Sequence, residues 1–121
     1  MTATLKDQIT AAIGAHGLWK GRLLNAVQSG KCEHDATKVE RDDLCEFGKW
    51  LQGGIDTASK ASPDFTTAKA AHTRFHQEAA KVLRLVASQQ VDAAKKCLEH
   101  DYSVISTQLV QTLMAWKAKG G

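Results

Sequence analysis

Side chains able to bind metal or carry redox chemistry are few in this 121-residue chain: five histidines and three cysteines, Cys32, Cys45 and Cys97. His72 and His76 stand four residues apart. On a helix both imidazoles would then leave the same side, about one turn from each other. That spacing lets two rings bind one metal ion, as on metalloprotease helices. Only Thr73, Arg74 and Phe75 lie between them, and no glutamate follows His72, so the general base of a zinc protease is missing. His16 falls in step with Ile13 and Trp19 on a second apolar stripe. A lone histidine on such a stripe is ordinarily a core residue held by a hydrogen bond. Three of them on the inward faces of two helices make a metal site the competing reading.

Cys45 strengthens that reading. It opens the run Cys45-Glu46-Phe47-Gly48-Lys49-Trp50. One thiolate and three imidazoles form a complete tetrahedral set whose softness suits zinc. Four protein ligands leave no position for a substrate water, so the site would be structural or regulatory rather than hydrolytic. Gly48, one turn after Cys45, would let a neighbouring helix approach closely, while Phe47 and Trp50 read as core aromatics. The positions four after His16, His34, His72 and His100 are Lys20, Lys38, His76 and Val104; the absence of an acid there argues against a di-iron site. Cys97 with His100, and Cys32 with His34, could each pinch a metal. Cys97 reads better as a small buried residue, His100 as a surface one, and Cys32 as a loop thiol.

The elements that must position these residues are helical. The chain has one proline and frequent alanine, and no useful stretch alternates with period two. Leu5, Ile9, Ile13, His16, Trp19, Leu23 and Val27 step by three or four and predict a helix from about Ala3 to Gln28, ended at Ser29-Gly30. Residues 30–40 are polar and aperiodic and read as a loop. A shorter helix follows from about Arg41 to Leu51, with Leu44, Phe47 and Leu51 facing inward and Gly53-Gly54 stopping it. Residues 55–61 read as a connection. Ser62-Pro63-Asp64 then supplies a cap, an N1 proline and a first-turn acid. The helix it opens shows Phe65, Ala68, His72, Phe75, Ala79, Val82 and Val86 in regular alternation of three and four. After the link at 88–90, a last helix carries Val91, Ala94, Leu98, Ile105, Leu109 and Trp116 to about Lys117. The expected fold is all-α: one domain over 1–121, an antiparallel four-helix bundle of three long helices and a shorter one bearing the cysteine.

Composition narrows the function classes. Hydrophobic residues are 43% and charged residues 24%, ordinary for a globular domain. The net charge of +3 arises from 16 basic and 13 acidic residues mixed along the chain, with no basic stripe of the kind nucleic-acid binders show. Lys69, Arg74, Lys81 and Arg84 read as a solvated face. No apolar run is long enough to span a bilayer, and the first residues lack a secretory layout, so a cytoplasmic location is expected.

Three motifs occur in order: His16-Gly-Leu-Trp19, Cys45-Glu-Phe-Gly-Lys-Trp50 and His72-Thr-Arg-Phe-His76, with 29 residues from His16 to Cys45 and 27 from Cys45 to His72. This order resembles the chemoreceptor zinc-binding domain family over about residues 10–80. The resemblance implies a four-helix bundle binding zinc through His16, Cys45, His72 and His76, with Trp19 and Phe75 packing beside the ligands. It implies a non-enzymatic sensor of zinc or of reactive chlorine species, with Cys45 as the ligand that meets oxidant. It further implies a homodimer working with a chemoreceptor signalling or diguanylate cyclase output, in cis or in trans. A zinc sensor and a purely structural zinc module are the alternatives.

Overall fold

A computed structural model describes residues 4–119. Within them every regular element is helical and there is no strand. Helix α1 (Leu5–Ser29) opens on a reciprocal capping box between Thr4 and Asp7. It closes at Gly30, whose φ of 72° is the left-handed conformation that favours glycine at a helix end. Its apolar stripe buries Ile9, Ala12, His16, Leu23, Ala26 and Val27.

The second limb departs from expectation. Residues 30–40 are not all loop: Asp35 caps a short helix, α2 (Ala36–Glu40), which buries Val39. The helix expected from Arg41 to Leu51 is broken. Residues 41–45 are non-helical, α3 spans only Glu46–Lys49 with Cys45 as its N-cap, and a π-turn continues it over Trp50–Gly54. Leu44 therefore points outward, 43% exposed, while Phe47 and Leu51 are buried as the pattern requires. The connection at 55–61 holds one more turn, α4 (Thr57–Lys60), capped by Asp56.

Helix α5 (Pro63–Ala87) starts where the sequence says it should, with the Ser62 hydroxyl accepting the Phe65 N–H and proline at the first helical position. All seven residues of its predicted stripe are buried. The last limb runs unbroken through α6 (Val91–Cys97), a π-turn over Leu98–Tyr102 and α7 (Ser103–Lys119). The extra residue in the π-turn shifts the inward face, and Tyr102 and Leu113 join Leu98, Ile105, Leu109 and Trp116 in the core.

Side-chain pairs fix the directions. Lys119 meets Asp64 at 3.3 Å, Phe75 lies 5.4 Å from Tyr102, and Lys81 meets Asp101 at 3.3 Å, so the last limb runs antiparallel to α5. Cys32 lies on the Leu83 carbonyl, Glu40 on Arg84, and Asp42 on Thr73, so the broken limb also runs down α5 against its direction. The core lies chiefly between α1, α5 and the last limb. Each fully buried Leu or Phe there contributes roughly 1.5–3 kcal/mol relative to exposure.

Candidate metal centre

Four side chains converge where α1, the start of α3 and the middle of α5 meet. The His72 Nε2 lies 3.0 Å from both the His16 and the His76 Nε2, and those two are 3.4 Å apart. The Cys45 Sγ lies 3.3 Å from His72, 3.6 Å from His76 and 3.9 Å from His16. All four donor atoms fall within 4.8 Å of one another. A tetrahedral ion with bonds near 2.0–2.1 Å to nitrogen and 2.3 Å to sulfur has nitrogen–nitrogen edges of about 3.3 Å and nitrogen–sulfur edges of about 3.6 Å. The donor set has the dimensions of such a cage.

Local folding aims these atoms. The His16 Nδ1–H donates to the Ala12 carbonyl one turn back on α1, at 2.7 Å. The His76 Nδ1–H donates to the Val39 carbonyl at the foot of α2, at 2.8 Å. Each bond commits the Nδ1 proton and leaves the Nε2 lone pair facing the centre, the outer-shell arrangement that orients metal-binding imidazoles. Burial pushes the His16 pKa down to about 4 and that of His72 to about 2, with neighbouring imidazoles adding to the effect, and lowers that of His76 too. The rings are therefore neutral at physiological pH, as coordination requires.

Burial raises the Cys45 thiol pKa, partly opposed by backbone N–H groups of Gly48 and Phe47. The Gly48 N–H donates to Cys45 Sγ at 3.4 Å. Gly48 does have a close-approach role, though not toward a neighbouring helix: a Cβ there would overlap the Asp42 carbonyl of its own segment. The Asp42 carboxylate in turn accepts the hydroxyl of Thr73, which lies between the two histidines of α5. This tie fastens the cysteine segment to the helix that carries His72 and His76.

The aromatic residues singled out from the sequence divide into two groups. Phe75 packs 5.0 Å from the His16 ring and Phe47 5.0 Å from the His72 ring, so both wall the site. Trp50 contacts Phe47 and Trp116 rather than the ligands. Trp19 is half-buried beside the centre, edge-on to His34, and carries the Arg22 guanidinium 4.9 Å from its ring centroid. Cys32, with its thiol on the Leu83 carbonyl at 3.1 Å, lies two turns along α5 from His76, on the order of 10 Å away, too far to bridge to Cys45. Cys97 is buried, as expected, beside Glu78, and the nearby Asp101 is paired with Lys81. His34 and His100 are exposed. Sequence reasoning missed Val39, Asp42 and Thr73. Thr73 alone carried a signal, its place between the two histidines.

An all-helical fold that gathers three buried, neutral imidazoles and a half-buried thiol around one point defines a helical metal-binding domain. The model for the family described as chemoreceptor zinc-binding domain matches residues 16–83, more than half of the chain and all four converging residues. The chain belongs to that family. No curated protein and no solved structure matches it. Among the described residues no helix is long and apolar enough to cross a membrane.

Proposed function

We propose that this chain is a non-enzymatic sensory domain that binds zinc through His16, Cys45, His72 and His76 and responds to oxidants of the hypochlorous acid class through Cys45. The observation that carries the reading is the convergence of three Nε2 lone pairs on one cysteine sulfur, with two of the three rings tied back through Nδ1. The donor chemistry, one thiolate and three imidazoles, fits zinc. Bound zinc would hold Cys45 as a thiolate at neutral pH, the nucleophilic form.

The reactive step belongs to the Cys45 sulfur. Its lone pair attacks the chlorine of hypochlorous acid, the chlorine–oxygen bond breaks, and oxygen departs as hydroxide. Water then displaces chloride, leaving a sulfenic acid, chloride and a proton. Sulfur loses two electrons and chlorine gains two. Cys32 is too distant to resolve the sulfenic acid as an intrachain disulfide. The site loses its anionic donor, and the 41–54 segment keeps only its weaker ties to α5, among them Asp42 to Thr73. Release of that segment is the packing change an output domain would read.

In this reading the four limbs act as the family's four-helix bundle in the cytoplasm, paired with a second copy and coupled to a chemoreceptor or diguanylate cyclase output in cis or in trans. The exposed Leu18 and Leu24 of α1, and Val104 and Met114 of the last limb, are apolar surface that a second copy would cover. Nucleic acid and direct membrane insertion have no part in it.

The deciding experiment is zinc content with thiol titration, before and after hypochlorous acid, in the parent chain and in Cys45→Ser. The expected result is one zinc per chain, lost as Cys45 oxidises. Cys45→Ser should bind zinc more than about 100-fold more weakly, since loss of an outer-shell partner alone costs 10–100-fold. Zinc retained while only Cys32 and Cys97 oxidise would replace this reading with a zinc sensor or a structural site.

A further inference from the structure

Two clefts reach the candidate centre, and they differ in what they expose. One, of about 170 Å³, is walled by His72, Gly48 and Asp42 and does not include Cys45. The other, of about 320 Å³, has Cys45, His16 and His76 at its floor. Of the two, it is the one whose lining includes the half-buried Cys45. Its charged lining is of one sign: Arg22, Lys38 and Arg41, with no carboxylate among the residues that line it.

The three cations are not equivalent. Arg41 is paired with Asp43 at 2.6 Å, and Arg22 lies over the Trp19 ring. Neither Lys38 nor Arg22 makes an ion pair among the described residues, and Lys38 is the one not stacked on a ring. The remaining walls include Leu18 and Leu44, which are 61% and 43% exposed. Apolar walls beneath a cationic mouth focus field lines and concentrate small anions.

We propose that this cleft is an anion-collecting entrance to Cys45, and that it favours small oxidising oxyanions, with hypochlorite as the type, over neutral oxidants of the same size. The proposal rests on the reading of Cys45 as the reactive thiol and adds to it a charge selectivity and a route. Hypochlorite gathered at the mouth takes up a proton and reacts at sulfur by the step already written, releasing hydroxide and then chloride.

The test uses the zinc-loaded chain and two alkylating reagents of nearly equal shape, anionic iodoacetate and neutral iodoacetamide. Cys45 modification is followed peptide by peptide by mass spectrometry. In the parent chain the iodoacetate rate should fall as ionic strength rises, as the Debye length shrinks from about 30 Å at 0.01 M to about 8 Å at 0.15 M, while the iodoacetamide rate should stay flat. Lys38→Gln should lower the low-salt iodoacetate rate about threefold and Lys38→Glu about tenfold, the scale of one and two unit charges in a water-like dielectric, without changing the iodoacetamide rate. Hypochlorite-driven oxidation of Cys45 should slow in the same order. Equal salt dependence for the two reagents, or rates indifferent to Lys38, would overturn the entrance while leaving Cys45 a sensor if hypochlorite still oxidises it. Charge-selective alkylation with no oxidation of Cys45 by hypochlorite would uphold the entrance and sink the sensing function instead.

Discussion

With their Nδ1 protons given to the Ala12 and Val39 carbonyls, His16 and His76 present Nε2 lone pairs to each other across 3.4 Å. The Cys45 thiol and one proton on His72 are the two donors the cluster itself holds, and they can pair these two lone pairs only by both pointing inward. A cation at the centre would instead engage all four donor atoms at once, at separations close to tetrahedral edges. The cage depends on one backbone contact, the seat of Gly48 against the Asp42 carbonyl. Alanine at 48 would have to push that carbonyl away, an overpacking cost of about 1–3 kcal/mol. It would also pull Cys45 and the Asp42–Thr73 tie out of register. Gly48→Ala should therefore lower the melting temperature of the metal-free chain and weaken zinc binding about 10–100-fold, on the scale of an outer-shell defect. Chelator competition and a thermal melt check the two halves of this expectation, and an unchanged zinc affinity would show that Cys45 is positioned without this contact.

The long elements were legible in the sequence because each buries a face wide enough to leave a period. The predicted α5 stripe is buried at every position, and its serine-proline start is where the chain places it. The broken limb was not legible. Its pieces are four or five residues long and are held by contacts made elsewhere: Cys32 on Leu83, Val39 on His76, Asp42 on Thr73. Such segments owe their shape to partners remote in sequence, so no local period marks them. The four converging residues could be read nonetheless: His72 and His76 share one helix face, His16 stands on the apolar stripe of α1, and the order of the three motifs, through its resemblance to the family, points to Cys45 as the fourth. The last limb hides a second local irregularity, the π-turn that swings Tyr102 inward, 1% exposed, with no good hydrogen bond to its hydroxyl. Burial raises its pKa to about 12, only partly offset by Ser106, and raises that of the Cys97 thiol to about 11. Both groups are held neutral in the fold above the pH at which they ionise in an unfolded chain. Stability is thus fully present below pH 9–10, the ordinary values of the two groups, and falls as pH rises toward 11–12. Tyr102→Phe removes the stranded hydroxyl, and should leave stability at pH 7 unchanged or higher and reduce the alkaline loss. Urea titrations at pH 7 and pH 10.5 measure this, and a loss of more than about 1 kcal/mol at pH 7 would reveal a hydrogen bond that matters.

Across the whole molecule, metal binding and core packing hold different parts of the chain. Most of the buried apolar residues come from α1, α5 and the last limb, whereas residues 30–62 contribute only Val39, Phe47 and Leu51. Three buried apolar side chains cannot offset the entropy of ordering this limb, at roughly 1–2 kcal/mol per residue for the backbone alone. Its order must come from its ties to α5 and from the donor set around Cys45. Loss of the metal should therefore loosen the broken limb first and leave the three-limb core standing, the local and sub-global opening that separates foldons of unequal stability. Hydrogen exchange on zinc-loaded and chelator-treated protein tests this division. Amides of residues 36–54 should lose protection on chelation, while those of α5 and of Ser103–Lys119 keep theirs. The short elements are a small part of the helix content, so far-UV circular dichroism should fall only slightly. If every limb instead lost protection together, zinc would be holding the whole fold. A graded conformational signal from Cys45 oxidation would then have no stable body from which to act.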